Sequence, residues 1–419
     1  MAVSRAGQAR GLGVNGVKSS TERIGRRALK RLLVGVVALA TMSAALTGCV
    51  TTEQGPQLTA PPMGWNSWNH FGCSVTEADV KAAADAIVAD GLRDAGYRYV
   101  NVDDCWQDPA RDSHGRLRSD PKRFPDGMAA LAAYVHSKGL LFGIYAAPGS
   151  RTCAERYQGY PGRIGSLGHV EQDARTFASW GVDYLKYDWC GADREGVGHE
   201  QAFARMRQAL NATGRSIVFS IHDKPEQPVP AWRHWVSDLS RSTPDIQDSW
   251  PSVVSITEST LALTKQTPPG FWNDPDMLEV GNDGMSLDEQ RSHFALWAQL
   301  SAPLLIGSDL RTAGTAAVGI LGNRRVIRVD QDRLASAPSV LNSTPNELVL
   351  LKRLSDGSSA LTITNLGSTT RTIAVRYHSL GMTPRYSATD VWTGVTRAET
   401  GGMSVRLAAH ATAMYLLAN

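Results

Sequence analysis

Val182-Asp183-Tyr184-Leu185-Lys186-Tyr187-Asp188-Trp189-Cys190 is an apolar-rich run with charges set into its alternation. Side chains on a strand alternate faces, so Tyr184, Lys186 and Asp188 share one face and Leu185 and Tyr187 the other. Burying a lysine and an aspartate in a core strand is costly unless they are paired or used. One reading is a structural ion pair. The other is a catalytic carboxylate at the C-terminal end of a barrel strand, supported by the lysine beside it.

The surrounding chain favours the barrel. Strand-like segments at 62–66, 97–103, 140–146, 216–221, 243–246, 270–273 and 303–308 alternate with helix-like segments at 77–95, 124–138, 169–180, 201–212, 253–266, 287–301 and 315–321. With the opening stretch this makes about eight β/α units in roughly 270 residues, the usual size of a (β/α)8 (TIM) barrel. A doubly wound sheet would show a Gly-rich phosphate turn after its first strand, and none is present. After Asp332 the texture changes to short alternating runs around Gly, Ser and Asp turns: 347–354, 360–365, 372–375, 386–392, 403–407 and 413–417. They predict a small C-terminal antiparallel β domain. The expected division is a leader over 1–48, a tether over 49–60, a catalytic (β/α)8 barrel over 61–332 and the antiparallel domain over 333–419.

The formal charge of the 419-residue chain is +3, but residues 1–48 hold eight basic residues and one acid, leaving 35 basic against 39 acidic elsewhere, a net of −4. The basic excess belongs to the leader, and nothing argues for nucleic acid. In that leader Arg26, Arg27, Lys30 and Arg31 precede an apolar run over 32–46, too short to span a bilayer comfortably. The run ends in Leu46-Thr47-Gly48-Cys49, which resembles a bacterial lipobox. The resemblance implies cleavage before Cys49, lipidation of its thiol and anchoring in the cell envelope outside the cytoplasm, with the membrane met only through that lipid. An ordinary secretory signal is the alternative. Four cysteines then remain, Cys73, Cys105, Cys153 and Cys190. An even number in an exported chain suggests disulfides, with three pairings possible.

Acidic residues recur at strand ends: Asp103 and Asp104, Asp188, Asp245, Asp274 and Asp276, and Asp309. On a barrel they converge on the catalytic face. Trp65, Trp106, Trp189 and Trp272 accompany them. Carboxylates accept hydroxyl hydrogen bonds and indoles stack on the apolar faces of a pyranose, so the set suits a sugar. Two carboxylates suffice to hydrolyse a glycoside. His70, His222 and His293 show no metal-ligand spacing, and no GxSxG elbow supports a serine nucleophile.

Several ordered motifs then resemble glycoside hydrolase family 27, whose best-known members are α-galactosidases. They are Met63-Gly64-Trp65-Asn66-Ser67-Trp68, Val102-Asp103-Asp104-Cys105-Trp106, Tyr184-Leu185-Lys186-Tyr187-Asp188, the segment from Arg241 to Trp250, Trp272-Asn273-Asp274-Pro275-Asp276-Met277, and the segment from Ala302 to Leu310. The resemblance runs from about Pro61 to Asp332. It implies Asp188 as nucleophile, Asp245 as acid/base and Arg241 as a sugar contact. It also implies a sugar subsite lined by Trp65, Asp103, Asp104, Tyr145, Lys186 and Asp276, with Cys153 and Met277 beside them. The tail fits the family's second domain, a β-sandwich. Disulfides Cys73–Cys105 and Cys153–Cys190 match family pairs, and no cofactor or metal is implied. The mechanism implied is retaining double displacement with carboxyl groups about 5–5.5 Å apart. On this reading the Lys186 ammonium depresses the pKa of Asp188, and apolar and acidic neighbours raise that of Asp245.

One segment departs from the family pattern. Where α-galactosidases of this family carry a Cys-Glu-Trp-like stretch that reads the sugar 2-hydroxyl, this chain has Ser220-Ile221-His222-Asp223-Lys224-Pro225-Glu226. Three readings stay open: Asp223 takes over that role, Glu226 does, or neither does. The expected substrate is a galactoside oligosaccharide or polysaccharide. Activities on β-L-arabinopyranosides, α-N-acetylgalactosaminides or isomaltose-releasing dextrans stay open, as does, from another class, a non-catalytic sugar-binding surface lipoprotein.

Overall fold

The computed structural model describes residues 58–223, 230–264, 267–268, 270–378 and 385–418. The leader, Cys49, the tether up to residue 57 and Glu226 lie outside the described residues. Eight strands build the first layer: β1 (Met63–Asn66), β2 (Tyr99–Val102), β3 (Leu141–Ala146), β4 (Tyr184–Asp188), β5 (Val218–His222), β6 (Leu239–Arg241), β7 (Trp272–Asp274) and β8 (Leu304–Ile306). All their ladders are parallel, in the order β7-β6-β5-β4-β3-β2-β1-β8. The remaining seam is bridged just past β7, where Leu278 N donates to Leu305 O at 2.7 Å and Gly307 N to Leu278 O at 2.9 Å. This is the expected (β/α)8 barrel.

The alternation of β4 places its residues in two environments. Tyr184 packs inside the barrel with Val218, Leu239 and Trp272, while Leu185 and Tyr187 face the helical layer, Tyr187 lying 5.9 Å from the Phe203 ring. Close packing inside the sheet needs glycine at Gly143 of β3, since a Cβ there would sit 1.9 Å from Asn101 Oδ1.

Local signals set the helices. Thr76 and Ser286 are N-caps whose side chains accept from the amides of Asp79 and Glu289, whose carboxylates accept the cap amides in return. They open the helices Glu77–Ala89 and Leu287–Leu300. The helix expected over 77–95 is two pieces, because Gly91 adopts φ 71° and starts a separate turn at Leu92–Ala95. The strand expected at 243–246 is a loop. The sixth strand is Leu239–Arg241, and Pro244, lacking an N–H, cannot extend the ladder. Asp245 therefore stands beyond the strand end.

The C-terminal domain is antiparallel throughout. Its strands are β9 (Ser339–Thr344), β10 (Glu347–Arg353), β11 (Ser359–Asn365), β12 (Arg371–Arg376), β13 (Arg385–Asp390), β14 (Thr396–Thr400), β15 (Gly402–Leu407) and β16 (Thr412–Ala418). A six-stranded sheet, β14-β13-β16-β11-β10-β9, faces the β12-β15 pair across a core of Val349, Leu361, Ile363, Ile373 and Val375. Its other face packs on the helix Leu287–Leu300 through Leu348, Leu350, Ala360 and Met414. Gln299 Nε2 crosses that contact to Ala360 O at 2.9 Å and Thr362 Oγ1 at 2.6 Å.

Candidate active site

The C-terminal ends of the barrel strands enclose a pocket of about 230 Å3. Asp103 and Asp104 reach it from β2, Tyr145 from β3, Lys186 and Asp188 from β4, Arg241 and Asp245 from β6 and its loop, and Asp276 and Met277 from the loop after β7. Cys153 completes the wall. The small volume suits one sugar ring rather than a drug-sized ligand, whose pockets run roughly 300–1,000 Å3.

Asp188 is 7% exposed. Tyr145 donates its hydroxyl to Asp188 Oδ2 at 3.2 Å, and His222 Nδ1 lies 3.3 Å from Oδ1. Two groups on neighbouring strands thus fix the carboxylate plane. Burial lowers the pKa of His222, and the nearby Arg241 lowers it further, so the imidazole is neutral at pH 7.

Lys186 corrects the sequence expectation. Its ammonium bonds Asp103 Oδ2 at 2.8 Å, so its direct partner is Asp103 and Asp188 feels it only through space. Burial works against the charge on Lys186, but Asp103 and Asp188 outweigh it and raise the pKa. Asp103 also accepts from Asn66 Nδ2 at 2.8 Å. Asp104 accepts the amides of Cys105 at 2.7 Å and Ala154 at 2.8 Å, yet burial dominates and pushes its pKa up to about 7.

Arg241 is the hub of the opposite wall. It reaches Asp276 Oδ2 at 2.9 Å, Asp245 Oδ1 at 3.1 Å and Thr243 O at 3.2 Å. Asp276 holds φ 93°, a strained left-handed backbone for a non-glycine residue. That bend is tied down: Asp276 N donates to Asp274 Oδ1 at 2.8 Å, and Met277 N and Ile246 N donate to the Asp276 carboxylate, each at 2.8 Å.

The expectation of a raised pKa at Asp245 is overturned. Burial in the mouth pushes the value up, but the neighbouring positive groups, Arg241 foremost with Lys186, together outweigh this and hold it below the ordinary carboxylate value. The side chain is 76% exposed, so solvent tempers both effects.

Two expected sugar contacts fall elsewhere. Trp65 is fully buried, donates Nε1 to Ser308 O at 2.9 Å and packs edge-on to Phe71; it supports the pocket floor and does not line it. Asp223 is turned into a bidentate pair with the buried Arg233, Nε donating to Oδ2 at 2.7 Å and Nη2 to Oδ1, and does not line the pocket. The fifth strand offers His222 at its end instead. Trp68, Asn69, Tyr157, Gln158 and Ile246 also line the pocket and were missed. Only Trp68 carried a signal, as an aromatic in the first-strand motif. Both disulfides implied by the resemblance are present: Cys73–Cys105 and Cys153–Cys190. Cys190 Sγ lies 3.3 Å from the Tyr145 hydroxyl, so the second bridge packs against the group that orients Asp188.

A cavity of about 450 Å3 also opens among His234, Trp235, Phe271 and Trp272, at the opposite end of the barrel strands. Among the described residues its one carboxylate, Asp238, is bound to Arg207 at 2.6 Å.

A (β/α)8 barrel gathering several carboxylates, a lysine and an arginine around a pocket sized for one sugar has the make-up of a glycoside hydrolase. Comparison with known proteins makes this specific. The family description Alpha galactosidase A matches residues 60–332, and Alpha galactosidase C-terminal beta sandwich domain matches 348–417. The chain is 42% identical over 360 residues to an α-galactosidase of Cyamopsis tetragonoloba, covering 85% of this chain and 86% of the relative. It is 43% identical over 322 residues to an α-N-acetylgalactosaminidase of Gallus gallus, covering 72% and 78%. The crystal structure of α-galactosidase I from Mortierella vinacea superposes with TM-score 0.80 at 30% identity, covering 86% of this chain and 97% of that one. The chain belongs to the α-galactosidase family, glycoside hydrolase family 27.

Proposed function

We propose that the protein is an exo-acting, retaining α-galactosidase that removes terminal α-D-galactosyl residues by double displacement. One observation carries the reading. Asp188 and Asp245 line one sugar-sized pocket, Asp188 buried and oriented by Tyr145, Asp245 exposed at the mouth. In the first step an Asp188 oxygen attacks the anomeric carbon while Asp245 gives its proton to the departing oxygen. In the second, Asp245 takes a proton from water, which attacks the same carbon and releases Asp188. Asp103, Asp104 and Lys186 form one end of the pocket, where adjacent acceptors and a donor suit the axial 4-hydroxyl and the 6-hydroxyl of galactose.

The low pKa of Asp245 in the free site fits this cycle in one way. The acid must take up its proton as substrate covers the mouth and removes the water that screens the carboxylates below it. A panel of nitrophenyl glycosides tests the reading, with α-galactoside, α-N-acetylgalactosaminide, β-L-arabinopyranoside and α-glucoside as arms. Fastest turnover of the α-galactoside is expected; binding without turnover of any arm refutes an enzyme.

The second part of the proposal concerns location. The lipobox-like Leu46-Thr47-Gly48-Cys49 supports export, cleavage of residues 1–48 and a lipid anchor at Cys49, with residues 49–60 as the tether. The barrel would then occupy 61–332 and the second domain 333–419. Palmitate labelling is expected to disappear in Cys49→Ala; labelling that survives sinks the anchor.

A further inference from the structure

Trp235 is 70% exposed, more than any other large hydrophobic side chain among the described residues. It stands at the end of the barrel away from the sugar pocket, on the rim of the 450 Å3 cavity. Leu334, 52% exposed, shares that rim, and Leu58, Pro268 and Phe271 continue the apolar wall. The short helix Arg233–Val236 presents Trp235, the approach to β7 supplies Pro268 and Phe271, and the segment after the helix Arg324–Asp330 supplies Leu334.

The charges around this rim are arranged for a particular neighbour. Asp238 is neutralised by Arg207 at 2.6 Å and also accepts the amide of Phe219 at 2.7 Å. Asp332 is turned back to Ser355, accepting its amide at 2.9 Å and its hydroxyl at 2.8 Å. Arg333, exposed beside Leu334, points a cation to the same edge of the cavity. An indole, an alkyl side chain and a guanidinium at one edge suit the headgroup region of a bilayer. The first two enter its apolar boundary and the third bonds phosphate.

The course of the chain decides the occupant. Leu58, the first described residue, lies in the wall of this cavity, and Cys49 is nine residues before it. Fully extended, that length reaches at most about 30 Å. A compact domain of about 270 residues is roughly 45 Å across. A lipid on Cys49 therefore draws this end of the barrel, and not the catalytic end, to the bilayer. We propose that the N-terminal end of the barrel is a membrane-docking surface, with Trp235 and Leu334 seated in the headgroup region of a phospholipid bilayer. The sugar pocket, at the other end of the same strands, then opens away from the membrane, and substrate arrives from the aqueous side. The inference rests on the lipid anchor proposed at Cys49.

The test uses the full chain, produced with its leader in a lipoprotein-processing bacterium and reconstituted in vesicles of phosphatidylethanolamine and phosphatidylglycerol. A fluorophore is attached at Leu334→Cys on the proposed surface or at Arg194→Cys in the helical turn Ala192–Glu195, which follows β4 at the catalytic end. Nitroxide-bearing phospholipid is then added to the vesicles as quencher. Fluorescence at position 334 is expected to fall about twofold or more, while that at position 194 changes by less than about a tenth. Adding Trp235→Ser to the Leu334→Cys chain should remove about half of that quenching. In protein that floats with the vesicles, equal quenching at both positions, none at position 334, or quenching unchanged by Trp235→Ser overturns the docking surface while the lipid anchor stands. Protein that carries no lipid and fails to float overturns both.

Discussion

Two strands of this protein bury a lysine, and the two lysines have opposite fates. In β4, Lys186 ends in the pocket against the Asp103 carboxylate, and its pKa is raised. In β10, Lys352 is fully buried between the barrel and the C-terminal domain and donates to Ala298 O at 3.0 Å, Val329 O at 2.7 Å and Ser301 Oγ at 2.5 Å. Burial lowers the Lys352 pKa to about 8, with Asp330 opposing, and burial raises Asp330 itself. Lys186 sits among fixed opposite charges on the wall of an open pocket. Lys352 is sealed, fully buried, against two carbonyls and a serine hydroxyl, with Asp330 near it. A buried charge in a strand marks a functional site only where it faces space that a ligand can fill; elsewhere it joins two surfaces.

The contrast can be broken most sharply by removing carboxylates from the pocket. Asp188→Ala and Asp245→Ala are each expected to cost several orders of magnitude in kcat on substrates with poor leaving groups, with an unchanged thermal transition. Near-parental turnover by either variant refutes its role. At the interface the expected effect is on stability. Lys352→Ala removes three buried hydrogen bonds beside Asp330 and should cost about 3–5 kcal/mol in chemical denaturation while kcat stays unchanged. If it abolishes turnover in folded protein, the separation of the two lysines fails. Lys186→Met is the crossed experiment. It is expected to lower kcat/KM by about a hundredfold, since Asp103 loses the partner that holds it and the pocket loses its ammonium donor.

A smaller effect comes from pH. Asp104 and Glu279 are each pushed up to about 7, and Asp274 to about 6, by burial. A carboxyl whose folded pKa is raised keeps a proton that the unfolded chain has already released above about pH 4. Its contribution to stability is therefore full below about pH 4 and is lost as pH rises to about 7. Unfolding free energy should fall across that window, and Asp104→Asn should flatten the slope. A slope of opposite sign in the parent, after the other carboxylates are accounted for by the variant, contradicts the burial account.

The barrel was legible because its periodicities are strong. Apolar strands capped by aspartates, and helices stopped by glycine, repeat at the spacing a parallel barrel needs. The sixth strand was misplaced because a three-residue strand carries little pattern and the nearby Thr243–Ile246 run mimics one. β9 and β14 went unread because they are mostly exposed edge strands with no apolar alternation. Lys352 lay in plain view in the β10 run, but its meaning depends on a helix some fifty residues earlier. In the site, the strand-end residues expected from sequence line the pocket, while Trp65 and Asp223, expected there too, do not. Trp65 alternates to the pocket side but is covered by Phe71 from the following turn, and Asp223 meets an arginine ten residues on that no local pattern announces. The Asp245 pKa was misjudged for a similar reason. Its sequence neighbours are apolar and acidic, but its spatial neighbour is Arg241.

The central claim is that the buried carboxylate of β4, and not the exposed one beyond β6, forms the bond to the sugar. Incubation with a 2-deoxy-2-fluoro-α-galactosyl fluoride, which slows the second displacement, followed by peptide mass spectrometry, tests it directly. The account predicts one galactosyl adduct per chain on the peptide containing Asp188. An adduct on Asp245, or turnover-competent protein that never accumulates one on Asp188, would contradict it.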